Sequence, residues 1–96
     1  MSTPERTVEV VDNPGQSRFE VWVDGALVGK ADYLVSGDRV IFTHAEVDPA
    51  QQGTGIAQEL ARQSLDAVRA AGHRVVPQCP FYSTYIRRHP EYADLV

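Results

Sequence analysis

Asp48-Pro-Ala-Gln-Gln-Gly-Thr-Gly-Ile-Ala57 separates two stretches of the chain that differ in hydrophobic periodicity. Before it, apolar and polar residues alternate, which is the pattern of half-buried β-strands. After it, apolar and small residues recur at the spacing of one helix face, at Ala57, Leu60, Ala61, Ser64, Leu65 and Val68. A proline and two glycines lie between the two patterns, so the sequence predicts a strand, a turn and then an amphipathic helix.

The half before this turn predicts four strands with short connections. The predicted strands cover residues 7–11, 19–23, 26–35 and 39–47. Asp24-Gly25 between the second and third strands is a strong hairpin signal. Connections this short leave no room for helices, so we expect an antiparallel four-stranded meander.

The half after the turn predicts a long helix, a fifth strand and a short C-terminal helix. The long helix covers residues 55–71 and stops at Gly72, a residue suited to the left-handed position after a helix end. Residues 74–78 favour a strand, and Cys79-Pro80 is typical of an N-cap followed by the first residue of a helix that runs to Arg88. We therefore expect an α+β fold, which some schemes class as α/β.

Length and composition indicate one globular domain. The chain has 96 residues, of which 43 % are hydrophobic and 23 % charged. We expect a flexible tail at residues 1–5 and a single domain at residues 6–96. The net charge of −4 argues against nucleic-acid binding, because that requires clustered Lys and Arg.

Cysteine usage and hydropathy predict the cellular compartment of the protein. Cys79 is the single cysteine, so we expect no disulfide, and no Cys or His spacing indicates a metal site. The N-terminal residues lack an apolar leader, and no apolar run is long enough to cross a bilayer. We expect a cytoplasmic protein without metal or membrane contact, and a monomer because no apolar stripe is left over.

The turn itself has the features of an anion-binding site. Glycines allow close approach of the backbone, and the helix that follows brings unpaired N–H groups and its positive dipole end. A P-loop would need Lys followed by Ser or Thr after the last glycine, whereas Ile56-Ala57 follows Gly55. The Gly-x-Gly-x-x-Gly turn of a dinucleotide fold is absent as well.

The same residues resemble the signature of the GCN5-related N-acetyltransferases, which is Gln or Arg, two residues, Gly, one residue, and Gly or Ala. Gln52-Gly-Thr-Gly-Ile-Ala57 fits this pattern, and Val47-Asp-Pro49 lies at the usual distance upstream. The segment Cys79-Pro-Phe, with Tyr85-Ile and His89-Pro-Glu-Tyr92, is similar to a minimal short-chain branch of the family. The resemblance covers residues 5–96.

The resemblance implies an acetyl-coenzyme A-dependent N-acetyltransferase that acts on an amine. The main chain at Glu46 and Val47 would pair with the pantetheine arm, and Tyr85 stands where the family's leaving-group acid lies. The diphosphate would be held by Gln52, Gly53, Thr54, Gly55, Ile56 and Ala57. Larger relatives have helices between their first two strands, whereas residues 12–15 here predict only a turn.

Four side chains are candidates for the chemistry. His44 and Glu46 lie two apart on the fourth predicted strand, so they share a face and could take the amine proton, directly or through water. Alternatively, His44 is an ordinary strand histidine bonded to a neighbour, and Glu46 is simply exposed at a sheet edge. Tyr85 could protonate the thiolate or simply pack. Cys79 at a helix N-terminus could carry the acetyl group as a thioester, or could be a buried packing residue.

Two non-enzymatic hypotheses remain beside the transferase. A binding module could retain the cofactor site and sense acyl-coenzyme A without transferring the acyl group. Alternatively, the sheet could serve only to bind a partner protein. His73 and His89, at the ends of the two predicted helices, are expected to be structural.

Overall fold

The alternating half of the chain forms the predicted meander, and the half after the turn adds two helices and a fifth strand. The computed structural model describes residues 7–96, so the tail predicted at residues 1–5 lies outside the described part. The strands are β1 (Val8–Asn13), β2 (Arg18–Val23), β3 (Ala26–Ser36), β4 (Arg39–Val47) and β5 (Arg74–Pro77). The α-helices are α1 (Ile56–Ala70) and α2 (Pro80–Arg88), and three short 3-10 segments cover Pro14–Gln16, Pro49–Gln51 and Pro90–Leu95.

The five strands form one mixed sheet in the order β1-β2-β3-β4-β5. The first four pair antiparallel, as the short connections predict. β5 pairs parallel to β4, because α1 carries the chain back before β5 begins. This sheet with its helices confirms the predicted α+β class. Within residues 7–96, no helix is both long and apolar enough to span a bilayer.

β1 ends later than its alternation predicts. The sequence places a turn at residues 12–15, but Asp12 and Asn13 continue the strand and pair with Phe19 and Arg18 of β2. The Asn13 side chain also donates a hydrogen bond to Glu20 at 3.1 Å. A contact made across the sheet therefore extends the strand past the point where the local pattern ends.

One face of the sheet forms the core together with the helices. Its buried side chains include Phe19, Val21, Ala31, Tyr33, Val40, Phe42 and Val75, which pack with Leu60, Ala61 and Leu65 of α1. Tyr82 of α2 stacks on Phe42 with ring centroids 4.0 Å apart, and its hydroxyl lies 2.7 Å from the Ser64 hydroxyl. These contacts join β4, α1 and α2 in one unit.

The C-terminal 3-10 segment packs against α1. Tyr92 and Leu95 are buried, and the Tyr92 hydroxyl donates to Asp66 at 2.8 Å. The Arg69 guanidinium lies 5.2 Å from the centre of the Tyr92 ring. Gly72, with a φ of 77°, occupies the left-handed position predicted for it after α1.

The outer face of the sheet carries a buried carboxylate. Glu20 accepts hydrogen bonds from Arg18 Nε at 2.8 Å, Asn13 Nδ2 at 3.1 Å and Trp22 Nε1 at 3.2 Å. These bonds, with that from Arg18 the largest cause, hold the pKa of Glu20 below its ordinary value of 4.5. Glu20 thus joins β1 and β2 on the face that the helices leave uncovered.

We expect Glu20→Gln to lower the free energy of unfolding at neutral pH by about 1–3 kcal/mol, the usual size for hydrogen bonds to a charged group. Because the folded pKa is depressed, this contribution is complete above the ordinary carboxyl pKa and is lost as the pH falls through the folded pKa. Urea unfolding followed by circular dichroism at neutral and acid pH would measure the difference. Glu9→Gln, at an exposed carboxylate of β1, is the control; a deficit that persists unchanged in acid would contradict the assignment.

Candidate functional site

The turn between β4 and α1 requires both of its glycines. The Asp48 carboxylate accepts the Ala50 N–H at 2.9 Å and so fixes the short Pro49–Gln51 segment. After extended Gln52, the φ angles of Gly53 and Gly55 are 79° and 83°. Residues with a side chain rarely adopt this left-handed conformation. The chain therefore takes two left-handed residues within this turn, and within residues 7–96 no side chain caps the start of α1.

The amides of this turn divide into two groups. Those of Gln52 and Thr54 are used within the turn, donating to the carbonyls of Pro49 and Gln51. Within residues 7–96, no main-chain carbonyl accepts from the amides of Gly53, Gly55, Ile56 and Ala57. The last two begin α1, whose N-terminus carries roughly half a positive charge. The amides of Gly53, Gly55, Ile56 and Ala57 are therefore available to donate hydrogen bonds to an anion.

An open cleft of about 640 Å³ lies in front of these amides. Its walls are residues 47–49, residues 51–53, Gly55, Ala57 and Gln58. None of these lining residues is basic, so attraction for an anion here comes from the main chain and the helix dipole.

The cleft continues into an open edge of β4. β4 pairs with β3 over its whole length but with β5 only over Arg39–Phe42. The Cys79 N–H donates to the Phe42 carbonyl at 2.9 Å, and the chain then turns away into α2. Within the described residues 7–96, positions 43–47 of β4 therefore have one edge without a neighbouring strand. An extended ligand can bind such an edge as an added strand does.

One hydrogen bond shows which main-chain N–H and C=O groups of β4 face the open edge. The Asp48 N–H donates to Val28 of β3 at 2.7 Å. Because main-chain groups of successive strand residues point to opposite sides, those of Val47 face the open edge and those of Glu46 face β3. The register also shifts between Asp32 and Tyr33, which pair with His44 and Phe42. The extra residue is a bulge in β4 where β5 departs, a common feature beside active sites.

A chain of charged side chains lies on the outer face next to this edge. His44 and Glu46 share this face, as their spacing predicts, and Nε2 lies 3.5 Å from Oε2. Lys30 Nζ lies 3.9 Å from Glu46 Oε1 and 3.2 Å from Asp32 Oδ2. The sequence reasoning missed Lys30 and Asp32. The alternation of β3 does indicate that Lys30 and Asp32 share a face. It does not place them beside Glu46 and His44, because that requires the register between β3 and β4.

Cys79 and Tyr85 are both buried. Cys79, the N-cap of α2, is only 5 % exposed and belongs to the core. Tyr85 lies in a separate cavity of about 430 Å³ whose lining includes Phe81, Arg88 and Gln58, the last of which also lines the cleft. The Tyr85 ring stacks on His89 with centroids 3.9 Å apart. Burial is the main cause that raises the pKa of Tyr85 above its ordinary value of 10.0.

Comparison with known proteins identifies the family. The model of the GCN5-related N-acetyl-transferase family matches residues 18–95, which is most of the chain. The chain belongs to this family, which confirms the resemblance and, at the level of the family, the prediction of an acyltransferase. None of the curated proteins matches the sequence.

Two solved structures share the fold. The solution structure of a GCN5-like protein from Staphylococcus aureus is 15 % identical, with a TM-score of 0.64, and the match covers 91 % of this chain and 85 % of that one. The crystal structure of a GNAT family acetyltransferase from Brucella melitensis, in complex with acetyl-CoA, is 25 % identical, with a TM-score of 0.55. That match covers 74 % of this chain but only 49 % of the Brucella chain.

We expect Gly29→Ala to disturb the end of β4. A Cβ at Gly29 would lie 2.9 Å from Val21 Cγ1 and 3.0 Å from both the Glu46 carbonyl and Val47 Cγ2. Such overpacking typically costs about 1–3 kcal/mol of unfolding free energy. Gly15→Ala is the matched control, because its nearest contact would be an ordinary 3.6 Å. Equal stabilities of the two variants in urea titrations would show that β3 and β4 are not tightly apposed here.

Proposed function

We propose that this chain transfers the acetyl group of acetyl-coenzyme A to an amine. The observation that carries the proposal is the meeting of free helix-start amides with an unpaired strand edge in one cleft. The first feature suits a diphosphate and the second suits the extended, amide-containing pantetheine arm. Family membership and the acetyl-CoA bound to the Brucella neighbour support the same ligand.

The cofactor contacts follow from these features. The amides of Gly53, Gly55, Ile56 and Ala57 hold the diphosphate, while Gln52 and Thr54 keep the turn in shape through their own hydrogen bonds. The pantetheine arm lies along β4 and exchanges hydrogen bonds with the main chain of Val47. The thioester then reaches the bulge next to His44, at the point where β5 departs.

The acid and base roles fall to side chains on either side of that point. Glu46 accepts the proton of the incoming amine, directly or through His44. The route through His44 is open because His44 Nε2 lies 3.5 Å from Glu46 Oε2. The Tyr85 hydroxyl protonates the leaving thiolate. Its raised pKa keeps it protonated at neutral pH, and Gln58 borders both its cavity and the cleft.

Transfer is direct in this proposal, without an acetyl-cysteine. The Cys79 side chain is 5 % exposed and packs in the core beneath α2. A thiol in this position would have to leave its packing to attack a thioester in the cleft. The burial therefore supports a structural role for Cys79.

Ala57→Glu tests the diphosphate site. Ala57 lines the cleft within regular helix, so the substitution adds a carboxylate without backbone strain. Repulsion between this carboxylate and a bound phosphate is about 1–4 kcal/mol at a few ångströms, and we expect at least about a tenfold loss of coenzyme A affinity. Calorimetric titration measures it. Ala57→Gln has nearly the same shape without the charge; equal affinities of the two variants would place the diphosphate elsewhere.

Cys79→Ala separates the two chemical routes. We expect the variant to keep its turnover on polyamine and lysine-peptide panels, measured as coenzyme A release, because the thiol takes no part. The unfolding free energy, measured in parallel, reports the loss of packing alone. Loss of turnover in a variant that remains folded and binds coenzyme A would favour the acetyl-cysteine route. Cofactor binding by the wild type without turnover on any amine would favour a sensing module.

A further inference from the structure

Lys30 has an unusual position in both the sequence and the fold. It is the only lysine of the chain, whose other long basic side chains are all arginines. It lies on β3 directly opposite Glu46 of β4, on the sheet face away from the helices. The one primary amine among the side chains is therefore beside the strand to which the acetyl donor is assigned.

The lysine side chain reaches across to β4. Its Nζ lies 3.9 Å from Glu46 Oε1, and Asp32 Oδ2 on its own strand lies 3.2 Å away. Gly29, the preceding residue, lets β3 approach β4 closely, since a Cβ there would be 3.0 Å from the Glu46 carbonyl. The carboxylates of Asp32 and Glu46 hold the Lys30 amine next to β4, and each of them can accept a proton.

The groove that contains Lys30 adjoins the proposed cofactor cleft. The groove has a volume of about 430 Å³, and Val47, Asp48 and Pro49 line both it and the cleft. The Lys30 side chain is 29 % exposed, so it can change rotamer without breaking the core. Residues 47–49 separate the groove that contains the Lys30 amine from the cleft at the open edge of β4.

We propose that Lys30 Nζ is an internal acetyl acceptor, so that the chain acetylates itself. This inference rests on the proposed function. The Lys30 ammonium gives a proton to Glu46, and the amine lone pair attacks the thioester carbonyl carbon. The C–N bond forms, the C–S bond breaks, and the thiolate leaves with the electron pair and takes up the second proton that the nitrogen loses as the amide forms. The products are an amide at Lys30 and free coenzyme A, and no further reagent is needed.

Intact-mass measurement and peptide mapping after incubation with acetyl-coenzyme A test the inference. We expect one acetyl group, stable to hydroxylamine, on the peptide that contains Lys30. Its rate of appearance should not depend on protein concentration, because the acceptor is in the same molecule as the donor. A hydroxylamine-labile acetyl at Cys79 or an acetylated N-terminus in place of Lys30 would overturn the proposal.

A lysine moved to another surface provides the matched control. The double variant Lys30→Arg with Arg87→Lys keeps the composition but moves the only lysine to the exposed last turn of α2. We expect this variant to remain unacetylated. Equal labelling of the two proteins would mean that acetyl-coenzyme A reacts with any exposed amine, and the proposal would fail.

Coenzyme A titration of the same samples separates failure of Lys30 acetylation from failure of the proposed function. Binding without acetylation of Lys30 overturns this inference and leaves the proposed function intact. Absence of binding overturns both. Ala57→Glu should reduce coenzyme A binding and Lys30 acetylation together.

Discussion

The departure of β5 from β4 after Phe42 is the constraint on which the site depends. Pro77, opposite Phe42, has no N–H to give to the ladder, and the next main-chain contact is the bond from Cys79 to the Phe42 carbonyl. The chain then enters α2, and β4 continues with β3 alone. The edge of β4 beyond Phe42 is consequently open over the residues that lead into the glycine turn. A fully paired β4 would leave the free amides of α1 without an adjoining site for a long ligand.

Core packing holds this opening in shape. Phe42 stacks on Tyr82, and the Tyr82 hydroxyl is hydrogen-bonded to Ser64, so the last paired residue of β4 is tied to both helices. Burial raises the pKa of Tyr82, which keeps the hydroxyl neutral and suited to a hydrogen bond with another hydroxyl. The ring contact fixes α2 against β4, while the hydroxyl fixes α2 against α1. The last residue of β4 that pairs with β5 is therefore fixed in the core, although within residues 7–96 the edge beyond it has no strand neighbour.

The sequence predicts local features well and cross-strand geometry poorly. The bounds of β4 were predicted correctly because its alternation ends at a proline, and the glycine turn stood out because two left-handed positions require glycine. The end of β1 was missed because Asn13 is held by Glu20 on another strand. Lys30 was missed because its position opposite Glu46 depends on the pairing of β3 with β4, whose register shifts at a bulge. The bulge changes the phase of the alternation in β4, from Val40 and Phe42 to Ala45 and Val47, but that change does not reveal which residue of β3 lies opposite.

The uncovered outer face gives the proposed acceptor a route to the open edge of β4. Both helices pack on the inner face, so the proposed cofactor edge of β4 is reached from the outer face without passing α1 or α2. Near that edge the outer face carries the carboxylates of Asp32 and Glu46, both of which lie close to Lys30 Nζ, and the ring of His44. Farther from it, the Glu20 cluster stiffens β1 and β2 without adding bulk. In the proposed function, the acceptor is selected by these charged groups more than by an enclosing pocket, which suits an amine that arrives on a chain, including that of Lys30 on β3 itself.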